Sequence, residues 1–245
     1  MIKIITWITK IIVIVLTALF FSGCHLDYKS IKGSGVITTE NRTVTGSFTG
    51  IDVSSAIELT LEQADKTEIV VEADDNLQNT IVTEVKDGKL IIANKSYTNI
   101  HNGTRKVLVK MPIVDNLEAS SASTITSRSL LKGSQIYIKT SSAANINLNS
   151  IEMDNVICNS SSAGGIKLKG LALKLETKAS SGSSIKCFRL LANEVIADAS
   201  SGANIEVHPV LSLKAEASSG ASINYDAVPK TINQKSSSGG SIQQD

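Results

Sequence analysis

Residues that could carry out catalysis are few in this sequence. A nucleophilic triad needs a histidine close to a serine or cysteine, and serine is so abundant here that its presence is uninformative. The 245-residue chain holds three histidines, His25, His101 and His208, all in predicted loop or surface positions. The sequence contains no HExxH, P-loop or paired CxxC motif. We therefore expect no catalytic residue, no metal site and no cofactor.

Acidic residues are the other candidates for catalysis. Glycosidases use two carboxylates that face one groove, and lyases usually add calcium-binding acids and a basic residue. Glu118, Asp198 and Glu216 share one position of the repeat described below with lysines, which favours a solvated face of mixed charge. The remaining acids, Asp154, Glu176 and Glu206, are scattered over other repeat positions. A glycan-active enzyme, a polysaccharide lyase or hydrolase, is thus the alternative rather than the favoured interpretation.

The N-terminus has the layout of an export signal. Lys3 and Lys10 precede an apolar run, and small residues stand directly before Cys24. This arrangement resembles the bacterial lipobox, in which the chain is cut before a cysteine that becomes diacylated on sulfur, although Phe21 stands where leucine is usual. A retained membrane helix is the alternative, but Lys10 interrupts the run of about 20 apolar residues that a span needs.

We therefore expect residues 1–23 to be a lipoprotein signal peptide, Cys24 to be the lipid attachment site, and residues 24–40 to be a flexible tether. Removal of the signal would take away two of the 24 basic residues and leave 23 acidic ones, so the mature net charge would be about −1. This balance gives no indication of nucleic-acid binding. The expected location is the bacterial envelope, with the outer membrane favoured.

A Ser-Ser pair followed by Ala or Gly recurs seven times in residues 116–245, at spacings of 18 to 21 residues. A period near twenty is typical of a solenoid. We number each repeat from its first serine, and position +5 is then always isoleucine. The first serines are Ser120, Ser141, Ser161, Ser180, Ser200, Ser218 and Ser237. The isoleucines are Ile125, Ile146, Ile166, Ile185, Ile205, Ile223 and Ile242.

Apolar and polar positions alternate through the repeat, which is the pattern of a strand with one buried face. The sequence therefore predicts an all-β fold: a right-handed parallel β-helix of about seven coils. A propeller blade needs about forty residues, and the leucine-rich repeat consensus is absent. The Ser-Ser-Gly phrase is expected to be a tight corner, with the +1 serines pointing inward as a column of buried hydroxyls. Position +10 is expected to form a third buried wall of Leu130, Ile151, Leu171, Leu190, Val210 and Val228.

Residues 41–115 lack the strict repeat but remain strand-like. Asp87-Gly88 stands between two apolar runs and predicts a hairpin. We expect this region to fold against the first coils and close that end of the solenoid. At the other end the last coil turns polar, with Gln234 and Gln244 at positions that are apolar elsewhere, and is interpreted as a cap.

Two cysteines, Cys158 and Cys187, fall at inward positions of adjacent coils. A disulfide is chemically allowed in the envelope. The facing walls should nevertheless lie about 10 Å apart, beyond the reach of a disulfide. We expect two buried free thiols.

Several stretches carry a resemblance to a known family: "FTGIDVSSAIELTLEQ", "VVEADDNLQNTIVTEVKDGKLII" and "VLVKMPIVDNLEASSASTI", followed by the Ser-Ser-Gly coils. They resemble the putative auto-transporter adhesin head GIN domain family, lipoproteins common in Bacteroidetes. The resemblance covers about residues 45–245 and implies a β-helical envelope protein. It supplies no catalytic or binding residues.

The sequence thus predicts a lipid-anchored, non-enzymatic envelope protein that serves as an adhesin, binding module or scaffold. Its expected partners are the membrane, through the N-terminal lipid, and a glycan or protein ligand. A purely structural envelope component is a further alternative. Neither the ligand-binding residues nor the oligomeric state follows from the sequence.

Overall fold

A computed structural model describes residues 7–8, 10–14, 29–95 and 98–245. Residues 7–8 and 10–14 are helical, and no helix in the described part of the chain is long and apolar enough to cross a membrane. A short 3-10 helix spans Gln78–Thr80. The N-terminal strands are β1 Lys29–Lys32, β2 Ile37–Asn41, β3 Gly50–Val53, β4 Glu58–Gln63, β5 Glu68–Asp74, β6 Ile81–Lys86, β7 Lys89–Asn94, β8 Thr98–His101 and β9 Arg105–Met111. The remaining strands are β10 Asn116–Ala119, β11 Thr124–Ser127, β12 Leu131–Thr140, β13 Asn145–Ser160, β14 Gly165–Ala179, β15 Ser184–Ala199, β16 Asn204–Ala217, β17 Ser222–Tyr225, β18 Thr231–Ser236 and β19 Ser241–Gln244.

The strands from β10 onward form a parallel β-solenoid of about six turns, as the repeat predicted. Each coil pairs in parallel with the next, and the position +5 isoleucines stack in one column: Ile146 pairs with Ile166, and Ile166 with Ile185. Ile185 is fully buried, whereas Ile242 in the last coil is only partly buried. The predicted inward row at +5 is therefore confirmed.

The Ser-Ser-Gly corner differs from the prediction in one respect. The +1 serines are exposed, not buried: Ser121, Ser142, Ser162, Ser181, Ser201, Ser219 and Ser238. Residues +1 and +2 both adopt positive φ, for example 52° at Ser201 and 68° at Gly202. Two successive residues in the left-handed conformation turn the corner away from the core. The alternation of inward and outward side chains is therefore interrupted at +1 and +2 and resumes at +3.

Backbone hydrogen bonds join the corners of successive coils. The N–H of Gly182 donates to the carbonyl oxygen of Ser201 at 3.1 Å, and the N–H of Gly202 donates to that of Ser219 at 3.1 Å. Next to the corners, the buried hydroxyls belong to positions −1 and +3. Ser183 Oγ donates to the carbonyl of Ser160 at 2.8 Å, which satisfies a polar group inside the apex.

The prediction of a third buried wall at +10 is wrong for four of its six residues. Ile151 and Leu190 are fully buried, but Leu130, Leu171, Val210 and Val228 are exposed. Ile151 and Leu190 each follow a bulge, because β13 has one more residue than β14 between Leu148 and Ile151, and β15 has one more than β14 between Lys186 and Arg189. An extra residue moves the side chains after it to the opposite face of a strand. Strand β14 lacks it, so alternation continues there and Ala172 faces the core instead of Leu171, as Leu131 does instead of Leu130.

The repeat also begins earlier than expected. Strand β3 pairs in parallel with β10, and β4 with β11, so residues 50–63 form one more coil of the stack. Its corner is Ser54-Ser55-Ala56, and Ser55 and Ala56 have φ of 68° and 54°. The inserted residues 68–111 leave the stack and return to it through β7 and β9, which pair in parallel with β3 and β4.

The N-terminal end is closed by antiparallel strands, as predicted. Strand β5 pairs antiparallel with β2 and β9. Strands β6 and β7 form the expected hairpin, whose turn residues Asp87 and Gly88 have φ of 50° and 73°. The carboxylate of Asp74 accepts hydrogen bonds from the backbone N–H groups of Gly35 and Thr104 at 2.5 and 2.6 Å. These bonds hold the loops that contain Gly35 and Thr104 against this end of the solenoid.

The last coil covers the other end. Strand β18 pairs with β16 and is exposed along its whole length. Ile232, whose counterparts in the other coils are buried, is 43% exposed. Gln234 Nε2 donates to the hydroxyl of Tyr225 at 3.1 Å, so a polar side chain lies over the final row of the core. This arrangement agrees with the interpretation of the last coil as a cap.

Candidate functional site

The histidines do not form a nucleophilic triad in the described part of the chain. His208 lies in β16, and its Nδ1 is 2.9 Å from Oδ1 of Asp226, with both side chains partly exposed. His101 is exposed in β8, where it pairs with Lys32 of β1. His25 lies outside the described residues, as does Cys24, the predicted lipid attachment site.

Two of the candidate carboxylates do come together. Asp198 and Glu216 are register partners on β15 and β16, beside Lys235. Each also has a lysine partner, since Lys178 Nζ lies 3.8 Å from Asp198 and Lys214 Nζ lies 3.3 Å from Glu216. The two carboxylates are about half exposed, so they form part of a solvated ionic surface. Among the described residues, no group of three or more His, Cys, Asp and Glu is arranged to hold a metal ion.

A more buried ionic cluster lies where the inserted strands join the stack. Lys89 Nζ contacts Glu118, and Lys139 Nζ lies 3.6 Å from the other carboxylate oxygen of Glu118. Burial, followed by the charge of Glu118, raises the pKa of Asp52. Burial alone would raise the pKa of Glu118, but the hydrogen bond and charge of Lys89 outweigh it and lower that pKa. The acidic and basic side chains of this cluster pair with one another. The cluster therefore stabilises the contact between the inserted strands and the stack, and it leaves no unpaired charge for a ligand.

The opposite situation is found on β14 and β15. Lys167 pairs in register with Lys186, and Lys169 with Arg189. We call these four residues the basic platform. Like charges on directly opposed residues destabilise a sheet. None of the four forms an ion pair with a described residue, and the nearest acid in register is Glu206, opposite Lys186. Four cations in two adjacent coils are therefore available to an anionic ligand.

A bulge shapes the basic platform. The register shifts between Lys167 and Lys169, so that Cys187 and Phe188 on β15 stand opposite a single residue of β14. Bulges of this kind re-aim side chains. Phe188 is partly exposed and lines a shallow groove of about 290 Å³ together with the platform residues and Glu206. The groove thus combines positive charge with one aromatic face, a combination suited to a sugar ring that carries an acidic group.

The sequence analysis missed the basic platform because the net charge of the whole chain is near zero and hides a local group of four cations. The repeat alignment nevertheless contained an indication of it. Lys167 and Lys186 occupy the same repeat position in consecutive coils, and stacked coils bring equal positions about 4.8 Å apart. Of the other aromatic residues, Tyr225 is 7% exposed, Phe48 packs against the core, and Tyr137 is partly exposed and accepts a hydrogen bond from the Asn159 amide. Tyr28 and Tyr97 lie outside the described residues.

The two cysteines are buried free thiols, as predicted. Burial raises the pKa of Cys187 to about 12 and raises the pKa of Cys158 well above its ordinary value. Thiols of this kind are inert at neutral pH, because the thiolate is the reactive form. They act as small apolar side chains in the core.

Comparisons with known proteins agree with this fold. Residues 47–229 match the family model described as putative auto-transporter adhesin, head GIN domain. A solved structure of a putative adhesin from Bacteroides fragilis has a TM-score of 0.82 at 20% identity, covering 88% of this chain and 100% of that one. A putative lipid binding protein from Parabacteroides distasonis has a TM-score of 0.75 at 21% identity, covering 89% and 100%. A putative adhesin from Parabacteroides merdae has a TM-score of 0.70 at 21% identity, covering 88% and 99%. The comparison with curated proteins found no match.

Proposed function

This chain belongs to the putative auto-transporter adhesin head GIN domain family, and we propose that it is an adhesin-like envelope protein that binds acidic glycans through the basic platform. The observation that carries the proposal is the in-register pairing of Lys167 with Lys186 and of Lys169 with Arg189. A fold stabilised only by its core gains nothing from this pairing of like charges. A polymer with carboxylate or sulfate groups would relieve the repulsion.

The geometry of the basic platform favours an extended ligand over a small one. Its groove of about 290 Å³ is near the lower limit of ligand pockets and lies open on the sheet. The rigid, parallel strands hold the cations in fixed rows about 4.8 Å apart. A polymer with repeated acidic groups could therefore contact several cations at once, and several weak contacts would add to a useful affinity.

Attachment and location complete the proposal. We propose that Cys24 carries a lipid that holds the protein in the bacterial envelope, with the outer membrane favoured, and that residues 24–40 separate the lipid from the solenoid. The lipobox-like sequence before Cys24 supports this attachment. Replacing Cys24 by Ala should move the protein from the membrane to the soluble fraction. Unchanged partition would instead support a retained helix.

We propose a binding function rather than catalysis. The one pair of neighbouring candidate carboxylates, Asp198 and Glu216, is exposed and joined to lysines. A catalytic pair on a glycan needs an acid that stays protonated near neutral pH beside an ionised partner. Asp198 and Glu216 are both about half exposed and each lies beside a lysine, so we assign them to the solvated ionic surface.

The test is a titration of the purified full-length chain, in mild detergent, with an acidic polysaccharide, a neutral polysaccharide and a short DNA duplex. The proposal predicts saturable binding of the acidic polysaccharide that weakens as salt rises from about 50 to 500 mM, because screening shortens the reach of the lysine charges. Equal binding of the neutral polysaccharide, or stronger binding of DNA, would contradict it. Products of glycan cleavage in the same samples would reassign the protein as an enzyme.

A further inference from the structure

The two strands that carry the basic platform continue directly into exposed leucines. On β14 the outward residue Lys169 is followed by the outward residue Leu171. On β15 Arg189 is followed by Leu191, which is also exposed. Lys169 pairs in register with Arg189, and Leu171 pairs with Leu191 two residues later. A row of cations is therefore followed, about 7 Å further along the strands, by a row of leucines.

These leucines line an open groove of about 490 Å³. Exposed apolar patches on a soluble domain mark interaction sites, and the volume lies within the range of ligand pockets. Four aliphatic residues of the lining are 39% to 55% exposed, and two further apolar residues of the lining are buried. We call this the leucine groove; its apolar residues are Leu171, Leu173, Leu191 and Val210, with the buried Met153 and Ala172.

The row of leucines is confined to β14 and β15. In the preceding coil the register partner of Leu171 is Glu152, which forms an ion pair with Lys132 at 2.6 Å. In the following coil the register partner of Leu191 is the polar residue His208. Strands β14 and β15 thus combine two features that are unfavourable without a ligand: like charges in register and leucines exposed to water. A single ligand with an acidic end and an apolar end would relieve both.

Acidic side chains around the two grooves favour one orientation of such a ligand. Glu152 and Asp154 line the leucine groove on β13. Glu206 lies opposite Lys186 beside the basic platform, and its Oε1 accepts a hydrogen bond from the Asn204 amide at 3.2 Å. A negative group is repelled from the leucine groove and attracted to the four cations of the platform. The charged end of the ligand therefore belongs on the platform and its apolar end in the leucine groove.

We propose that the basic platform and the leucine groove form one site for an acidic glycolipid. The charged sugar contacts the platform and Phe188, and one hydrocarbon chain lies in the leucine groove. The glycolipid site includes the platform of the proposed function and therefore rests on it; what it adds is that the acidic glycan is joined to a lipid. Arg189 can donate two N–H groups to a sulfate. Burial of the hydrocarbon chain supplies affinity that a polysaccharide lacks.

The experiment is native mass spectrometry of the full-length chain, released from a polyoxyethylene detergent, with three matched probes. Sulfatide carries a sulfated galactose on a ceramide, galactosylceramide lacks only the sulfate, and galactose 3-sulfate lacks only the ceramide. Sulfatide should bind at least about tenfold more tightly than either of the others, because each of them offers only part of the contacts. Equally tight binding of galactosylceramide or galactose 3-sulfate would overturn the proposal, as would tighter binding of phosphatidylglycerol, an anionic lipid without a sugar.

Substitution of exposed leucines tests the leucine groove without changing the core. A Leu171→Ser, Leu191→Ser variant should bind sulfatide about tenfold more weakly and should bind galactose 3-sulfate as the wild type does, because its platform is intact. The matched control is a Leu130→Ser, Val228→Ser variant, whose aliphatic side chains are also exposed but lie outside both grooves. Equal sulfatide affinity of the two variants would overturn the leucine groove as the binding site of the hydrocarbon chain.

The acidic polysaccharide distinguishes a failure of this site from a failure of the proposed function. It should displace sulfatide from the wild type, because both ligands occupy the platform. Polysaccharide binding together with sulfatide binding no tighter than that of galactose 3-sulfate would overturn the glycolipid site and leave the proposed function intact. Sulfatide binding as predicted, without polysaccharide binding, would overturn the proposed function and support the glycolipid site.

Discussion

The backbone N–H of Ala56 donates a hydrogen bond to the carbonyl oxygen of Ser121 at 2.8 Å, although the two residues are far apart in the sequence. The same bond joins +2 of one coil to +1 of the next throughout the stack, for example Ala143 to Ser162 at 3.0 Å. The coil formed by residues 50–63 is thus continuous with the regular coils. The solenoid is one column of corners interrupted by the insertion at its N-terminal end.

The left-handed corner predicts the effect of a bulky residue at +2. Gly202 has φ of 68° and open space around its Cα hydrogens, so Gly202→Val meets strain rather than a clash. A β-branched residue in this region should lower the free energy of unfolding by about 1 to 3 kcal/mol. Urea denaturation measures the loss. The control Thr126→Val, on an outward strand position, should change stability little, and equal losses would contradict the assigned corner.

The difference in burial between two isoleucines predicts a contrast between two chemically identical changes. Ile185→Ala removes a fully buried side chain and should cost about 2 to 5 kcal/mol. Ile232→Ala truncates a side chain that is 43% exposed in the last coil and should cost less than about 1 kcal/mol. Chemical denaturation of both variants checks the register. Similar costs would contradict the assignment of the last coil as a cap.

The two buried thiols predict a loss of stability in alkali. Unfolded thiols ionise near their ordinary pKa of 9.0, whereas burial keeps the folded thiol of Cys187 protonated up to about pH 12. Their contribution is therefore complete below about pH 9 and declines as pH rises from there towards 12. The urea midpoint of the wild type should fall between pH 8 and pH 10.5 by more than that of a Cys158→Ala, Cys187→Ala double variant. Parallel declines in the two proteins would contradict this account.

The ionic cluster at the junction predicts a pH-dependent effect of Lys89→Met. At pH 7 this change leaves Asp52 and Glu118 adjacent with only Lys139 to balance them, and we expect a loss of about 1 kcal/mol. The loss should shrink as pH falls through the lowered pKa of Glu118, because a protonated carboxyl no longer needs the lysine. Melting curves from pH 7 to 3 measure this trend. Lys178→Met, whose partner Asp198 is exposed, should show little change at any pH.

The sequence was sufficient to predict the structural features that every coil shares. It was insufficient to predict those that depend on a local change of backbone conformation or strand register. An isoleucine at +5 in seven coils predicts burial because only a core requires the same large apolar residue each time. The orientation of Ser201 did not follow, since alternation holds only while successive residues remain extended. Leu171 was assigned to the core by analogy with Ile151 and Leu190, but those two face inward only because β13 and β15 carry an extra residue before them, and bulges leave no clear mark in one sequence.

The candidate site was harder to predict than the fold because it depends on differences between coils rather than on what they share. Lys167 and Lys186 are visible as a pair once the repeats are aligned. Their significance emerges only when the structure shows that, unlike Glu118 and Lys139, they form no ion pair with a described residue.

The most direct measurement of the proposed function is the affinity for an acidic polysaccharide of a Lys186→Glu, Arg189→Glu variant, compared with a Lys178→Glu, Lys235→Glu control. Both variants change the net charge equally, and the control residues Lys178 and Lys235 lie on β14 and β18, outside the basic platform. We predict that reversal within the platform weakens binding about tenfold or more at low salt, while the control binds nearly as tightly as the wild type. Equal weakening of both variants would show that overall charge governs binding and would contradict a site on β14 and β15.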